Sequence, residues 1–215
     1  MNRRALPAVA ALSATAALLM TACSSGSGGG GSSSDKIKGV DHGSAASPSA
    51  SAAREPGGAQ RPNIKLPTSF QVEFTGWTNS DPKLQAILDD SKQQLMGSYA
   101  AIIAGNPNDA PMAFYNTGEA LMTGKQWIKG FADKDLTLIG KTRAYKPQAR
   151  ISPNGSGTFF YCVDESKSST RNTKTNKVTG TPADKAQVLY RTKLSKNSSG
   201  VWQTTFVTTT QGGCR

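Results

Sequence analysis

The sequence predicts an α+β domain over residues 67–215, with helices first and an antiparallel sheet after them. Three observations lead there. Composition changes near Leu66: Ala, Ser, Gly and Pro dominate before it, and every aromatic residue lies after it. Residues 81–131 carry helix boundary signals and helical spacing of apolar side chains. Beyond Asp135 the apolar residues recur at period two, and helices followed by a run of strands make an α+β arrangement.

The elements follow in order. "SFQVEFTGW" opens the ordered part, and alternating Phe70, Val72 and Phe74 suit a short strand. Next comes "SDPKLQAILDDSKQQLMGSYAAIIAGNP". Asp81 caps a helix, Pro82 fits its first turn, and Leu84, Ile87, Leu88, Leu95, Tyr99, Ile102 and Ile103 share a face that Gly105 and Pro107 terminate. Gly97 inside this helix costs up to about 1 kcal/mol relative to Ala, which points to close packing there. A second helix is expected over residues 111–123, and a shorter one carries Trp127, Ile128 and Phe131. Strands are expected at 137–145, resuming to 151 after Pro147, and at 157–164, 187–194 and 201–209. The turns "SPNGSG" and "SKNSSG" separate neighbours.

The front of the chain reads differently. Arg3 and Arg4 precede an uncharged stretch from Ala5 to Met20, which is short for a bilayer span and suits an export signal over residues 1–22. Residues 23–66, with "SSGSGGGGSSS" and "SAASPSASAA", lack hydrophobic periodicity and are expected to form a disordered tether. The glycines at 28–31 have no preceding strand, following helix or lysine that would make a phosphate loop.

Met20-Thr21-Ala22-Cys23 resembles a bacterial lipobox, with Met20 where leucine is usual. The resemblance implies a diacylglyceryl thioether on Cys23, hence a protein anchored at the outer face of the cytoplasmic membrane. Two acyl chains, at about 0.8 kcal/mol per buried CH₂, make a stable anchor. The alternative is an ordinary signal peptide cut near Ala22, leaving Cys23 a free thiol. With Cys23 set aside, Cys162 and Cys214 are an even pair in an exported chain, where a disulfide is favoured over two free thiols. Closing that loop contributes roughly 4 kcal/mol in the entropic treatment. If the last strands run up, down and up, the ends of the first and third lie on one side of the sheet, about 9–10 Å apart. No metal or cofactor is expected: there is no CxxC spacing, and the single histidine, His42, lies in the tether.

The runs "FYCVDESK", "NTKTNKVTGTP", "GVWQTT" and the closing "GGC", with "AILDDSKQQL", "FYNTGEAL" and "GFADKDLTLIG", together resemble uncharacterised actinobacterial lipoproteins. Their soluble part looks like the cone-shaped α+β fold of nuclear transport factor two and SnoaL-like proteins. The resemblance spans residues 66–215 and implies helices on a curved antiparallel sheet, with Cys162 and Cys214 matching a disulfide pair. A fold does not carry a function with it.

Histidine-assisted Ser or Cys catalysis is excluded by the placement of His42. Cone-fold isomerases and dehydratases commonly use an Asp base with Tyr or Asp donors, so Asp164 with Glu165 and Tyr161 is the most suggestive cluster. The plainer reading ends a strand at Asp164 and Glu165 and leaves them solvated or paired with Lys167. Asp89–Asp90 and Asp133–Asp135 read as helix surface and helix end. Phe159, Tyr161, Tyr190, Trp202 and Phe206 fit a core better than a ligand cage. No residue is assigned a catalytic role.

The whole chain carries a formal charge of +11. From residue 67 onward 18 basic residues face 11 acidic ones. Lys167, Arg171, Lys174 and Lys177 fall in what reads as a loop, and they suit an anionic partner or simply a soluble surface. For an exported, anchored chain that partner is an anionic envelope polymer or lipid headgroup rather than nucleic acid. The expectation is a non-catalytic binding or accessory module for a small ligand, an anionic envelope polymer or an envelope protein. Its rivals are a cone-fold isomerase, dehydratase or hydrolase, and a subunit of an envelope transport or secretion machine.

Overall fold

The computed structural model describes residues 58–214, all within one compact unit. The export signal, Cys23, His42 and the tether as far as residue 57 lie outside the described residues. Residues 58–66, also assigned to the tether by composition, form no helix or strand. They nevertheless belong to the packing, because Arg61 pairs with Asp90 and Ile64 sits beside Gly97.

The architecture is mixed α+β, with helices on one face of a curved, unclosed and mostly antiparallel sheet. Its elements are β1 (Phe70–Phe74), α1 (Pro82–Ala104), α2 (Ala110–Tyr115), α3 (Gly118–Ala132), β2 (Leu136–Ile151), β3 (Gly157–Asn172), β4 (Val178–Gly180), β5 (Gln187–Lys196) and β6 (Trp202–Gln211). The strand order is β1-β2-β3-β5-β6, and β4 hangs on the far part of β3. β1 joins β2 in parallel, a departure from the antiparallel expectation. A 23-residue helix and two shorter ones separate these strands, long enough for the crossover that parallel pairing demands.

Local chemistry explains the helices. Asp81 accepts from the Lys83 amide and caps α1, and Gly105 closes it in the left-handed conformation. The Cβ that Gly97 lacks would lie 3.0 Å from Pro111, so α1 and α2 approach closely there. The break between the next two helices comes at Asn116 and Thr117, earlier than residue 123. Both residues are extended because the Asn116 backbone bridges to Thr204 and the Thr117 amide donates to its carbonyl. That contact with β6 outweighs helix propensity. Beyond it α3 runs unbroken through Thr123 to Ala132.

Three irregularities curve the sheet. Glu165 and Ser166 together oppose Thr142, Lys146 and Pro147 oppose Tyr161, and Thr205 is an extra residue on β6. Such bulges bend a strand and increase its twist. Gly140 adds a kink: its φ is +95°, and a Cβ there would strike the Lys167 carbonyl oxygen. The core lies between α1 and the sheet, and includes Phe70, Ile87, Leu95, Ile102, Phe159 and Trp202.

Cys162 and Cys214 form a disulfide with Cα atoms 6.0 Å apart. The route differs from the sequence expectation. β3 continues to Asn172, so Cys162 lies in mid-strand, and the tail after β6 folds back across β5 to reach it. Gly213 makes the crossing, and a Cβ there would sit 2.9 Å from that of Leu189.

Candidate ligand cavity

α1, α2 and α3 do not fill the space above the curved sheet. A cavity of about 450 Å³ remains between them and β2, β3, β5 and β6. Its size is that of a small-molecule site. Leu95 and Tyr99 reach it from α1, Trp127 and Phe131 from α3, Leu138 and Thr142 from β2, and Tyr161 and Glu165 from β3. Tyr161 and Tyr190 stack across the paired strands with centroids 4.9 Å apart. Trp127, 48% exposed, stands at the rim edge-on to Phe131.

The bulge on β3 decides which polar groups enter. Before it Phe159, Tyr161, Val163 and Glu165 alternate onto the inner face, and after it Ser168 and Thr170 do. The extra residue reverses the parity of the strand. Glu165 is therefore the last inward side chain of one phase, and Asp164 points the other way. Outside, Asp164 accepts from the Ser166 amide and faces Arg143 at 3.5 Å. Burial alone would raise the Asp164 carboxyl, but hydrogen bonds from Ser166 and Gln187 and the charge of Arg143 leave it below the usual range.

Glu165 has the opposite environment. Among the described residues its carboxylate makes no hydrogen bond or ion pair, and burial pushes its pKa up. The Tyr99 and Tyr190 hydroxyls are raised chiefly by burial and further by neighbouring groups that include Glu165. Tyr161 is raised by burial and by Tyr190. Tyr99 Oη and Thr142 Oγ1 are neighbours, yet neither has a partner in hydrogen-bonding geometry. A buried hydroxyl left unpaired costs about 1–3 kcal/mol, so these two groups sit beside the cavity with their bonding capacity unused. Ser91 and Tyr115 are the other buried hydroxyls in that condition among the described residues, and neither lines the cavity.

The suggestive cluster of Asp164, Glu165 and Tyr161 is thus divided. Tyr161 and Glu165 share the cavity, Asp164 does not, and neither acid ends a strand. Phe159 and Trp202 belong to the core as expected, whereas Tyr161 and Tyr190 serve both as core and as cavity wall. Phe206 carries Lys193 over its ring. Asp89 is on the helix surface, where Gln85 donates to it, and Asp133 pairs with Lys129. Asp90 corrects the surface reading. It is only 1% exposed, and it accepts from Arg61 Nε at 2.9 Å, Arg61 Nη2 at 3.2 Å and the Trp202 amide at 2.8 Å.

Two of the four basic residues read as a loop belong to strand, and two lie in a turn as expected. Lys167 and Arg171 lie on β3, exposed on the side opposite Ser168 and Thr170, while Lys174 and Lys177 occupy the turn to β4. Lys174 is committed to Asp135 at 2.9 Å. The polar second half of β3 looked like a loop because its inner face lines a polar part of the cavity. No hydrophobic alternation marks it.

Sequence reasoning did not single out Tyr99 or Thr142 as site residues. Thr142 left a signal, a hydroxyl at an inward position of an otherwise apolar strand face. Among the described residues no group of three His, Cys, Asp or Glu is placed to hold a metal, and no helix is long and apolar enough to cross a membrane.

No protein-family model matches the chain, and no curated protein does. Solved structures give distant likenesses. The intermembrane-space region of chloroplast protein ARC6 is 12% identical with a TM-score of 0.38, covering 62% of this chain and 99% of that one. ActVI-ORFA from Streptomyces coelicolor is 10% identical at 0.39, covering 60% and 93%. A putative ketosteroid isomerase from Shewanella frigidimarina is 13% identical at 0.30, covering 66% and 99%. Likeness at this level transfers neither activity nor ligand.

Proposed function

We propose that the chain is a binding module for a small organic ligand, anchored through lipidated Cys23 at the outer face of the cytoplasmic membrane. The observation that carries the binding role is a cavity of about 450 Å³ lined by two hydroxyls, Tyr99 and Thr142, and a carboxyl, Glu165, that have no partner among the described residues. The apolar walls supply affinity and the three polar groups set orientation. Lys167 and Arg171, exposed on the outer side of β3, and Lys177 in the turn to β4 are the candidate basic groups left for an anionic envelope polymer.

The neutral fluorophore N-phenyl-1-naphthylamine tests the cavity. Its emission should rise on mixing with the full chain, and Thr123→Trp, a bulky change at an exposed lining position, should suppress the rise without lowering the Tm. An unchanged signal in the variant would place the probe elsewhere and remove this reading. The anchor is tested by fractionating cells that express Cys23→Ala, which should release the chain from the membrane. Equal retention of variant and parent would disprove lipidation at that cysteine.

A second reading, a proton-transfer enzyme, is favoured by one observation: Glu165, not Asp164, is the carboxyl held up in pKa inside the cavity. A base tuned upward toward the working pH suits abstraction of a proton beside a carbonyl. Phenylacetone in D₂O provides the measurement. Exchange of its α-protons above the buffer rate, lost in Glu165→Gln, supports the enzyme, and exchange at the buffer rate rules this reading out.

A further inference from the structure

Glu165 is the one charged side chain lining the cavity among the described residues, and no Lys, Arg or His accompanies it. Several acids elsewhere do have basic partners, among them Asp90 with Arg61, Asp164 with Arg143 and Glu73 with Lys141. Inside the cavity the basic partner is missing. A carboxylate removed from water without a counter-ion is a state that a positive charge relieves. An anionic ligand would meet that field with nothing opposing it, and a neutral one would engage only the hydroxyls.

The walls add a second argument. Phe70, Tyr99, Trp127, Phe131, Tyr161 and Tyr190 surround the space, so an entering charge meets aromatic rings, whose faces attract cations. The hydroxyls of Tyr99 and Tyr190, near Glu165, are raised in pKa chiefly by burial and stay neutral, so they do not compete for the cation as charges.

We propose that the cavity takes an organic cation, with an ammonium-type head beside Glu165 and an apolar or aromatic body along the ring walls under Trp127. The proposal rests on the cavity being a ligand site and specifies the charge of what enters it.

Three probes of matched shape test it on the full chain: benzyltrimethylammonium, its neutral carbon isostere neopentylbenzene, and the anion phenylmethanesulfonate. Binding is followed by NMR at the Trp127 indole N–H. At pH 8 the cation should bind about tenfold more tightly than the isostere, and the anion should not register. Glu165→Gln should erase the preference for the cation, and Glu165→Asp, which keeps the charge, should retain it. The preference should also fade as pH falls through the raised pKa of Glu165, because the protonated carboxyl no longer pairs. Equal binding of cation and isostere, or a preference that survives in Glu165→Gln, overturns the organic-cation assignment and leaves the cavity reading standing. Failure of every probe to perturb Trp127 overturns both.

Discussion

Asp90 and Glu165 are both carboxylates drawn into the protein, and they are treated in opposite ways. Asp90, on α1, is closed on every side: a guanidinium comes from residue 61 and a backbone amide from the start of β6. Glu165, on the bulge of β3, is open, facing a void near Tyr99 and Tyr190, whose hydroxyls are raised chiefly by burial and only further by its charge. A buried acid whose lone pairs are filled by the fold serves the fold. One whose lone pairs are left to a cavity serves whatever enters.

The sharpest way to break this contrast is to remove Asp90. Asp90→Ala orphans the Trp202 amide and releases Arg61, and should cost about 3 kcal/mol in urea or guanidinium unfolding. A loss under about 1 kcal/mol would mean that water replaces the carboxylate and that the pair is not structural. Arg61→Ala should cost less, about 1 kcal/mol, because its side chain is 43% exposed and the Trp202 amide stays satisfied. The same denaturation curves measure it, and a cost matching Asp90→Ala would assign all of the stabilisation to the ion pair.

On the cavity side the expected effects are small and opposite in sign. Tyr99→Phe deletes a hydroxyl that has no partner and should leave stability unchanged or raise it by about 0.5 kcal/mol. A clear loss would show that a bonded water or ligand fills the site. For Glu165 the sign depends on pH. Burial raises the folded-state pKa above the unfolded value, so the native chain binds the proton more tightly, and the stabilisation present at low pH is lost as pH rises through the folded pKa. Glu165→Gln should therefore melt higher than the parent at pH 8, with the gap narrowing toward pH 4. A gap independent of pH would mean that folding does not shift this carboxyl's pKa, and a gap of opposite trend would mean that it is paired.

Sequence alone made some of this visible for identifiable reasons. The Asp81 cap, the Gly105 stop and the strand alternation around Phe159 and Val188 are local signals, and they matched. The cysteine pair followed from counting. Asp90 was not legible because its partners are 29 residues before it and 112 after it, the nearer one in a segment of low complexity. The inward aim of Glu165 was not legible because the bulge that sets it carries no Gly or Pro. The far half of β3 escaped detection because a strand lining a cavity with Ser168 and Thr170 lacks the apolar stripe by which strands are recognised.

An open sheet also has two bare margins, and each is defended differently. At the β6 margin Asn116 and Thr117 dock onto Thr204, and Gln203 donates to the Phe114 carbonyl, so an incoming strand finds hydrogen-bonding positions there already taken. At the other margin β1 is only five residues long and carries the Glu73–Lys141 ion pair, a brief and charged template for any polypeptide seeking to extend the ladder. The curvature that makes room for a guest is thereby kept from becoming an invitation to polymerise.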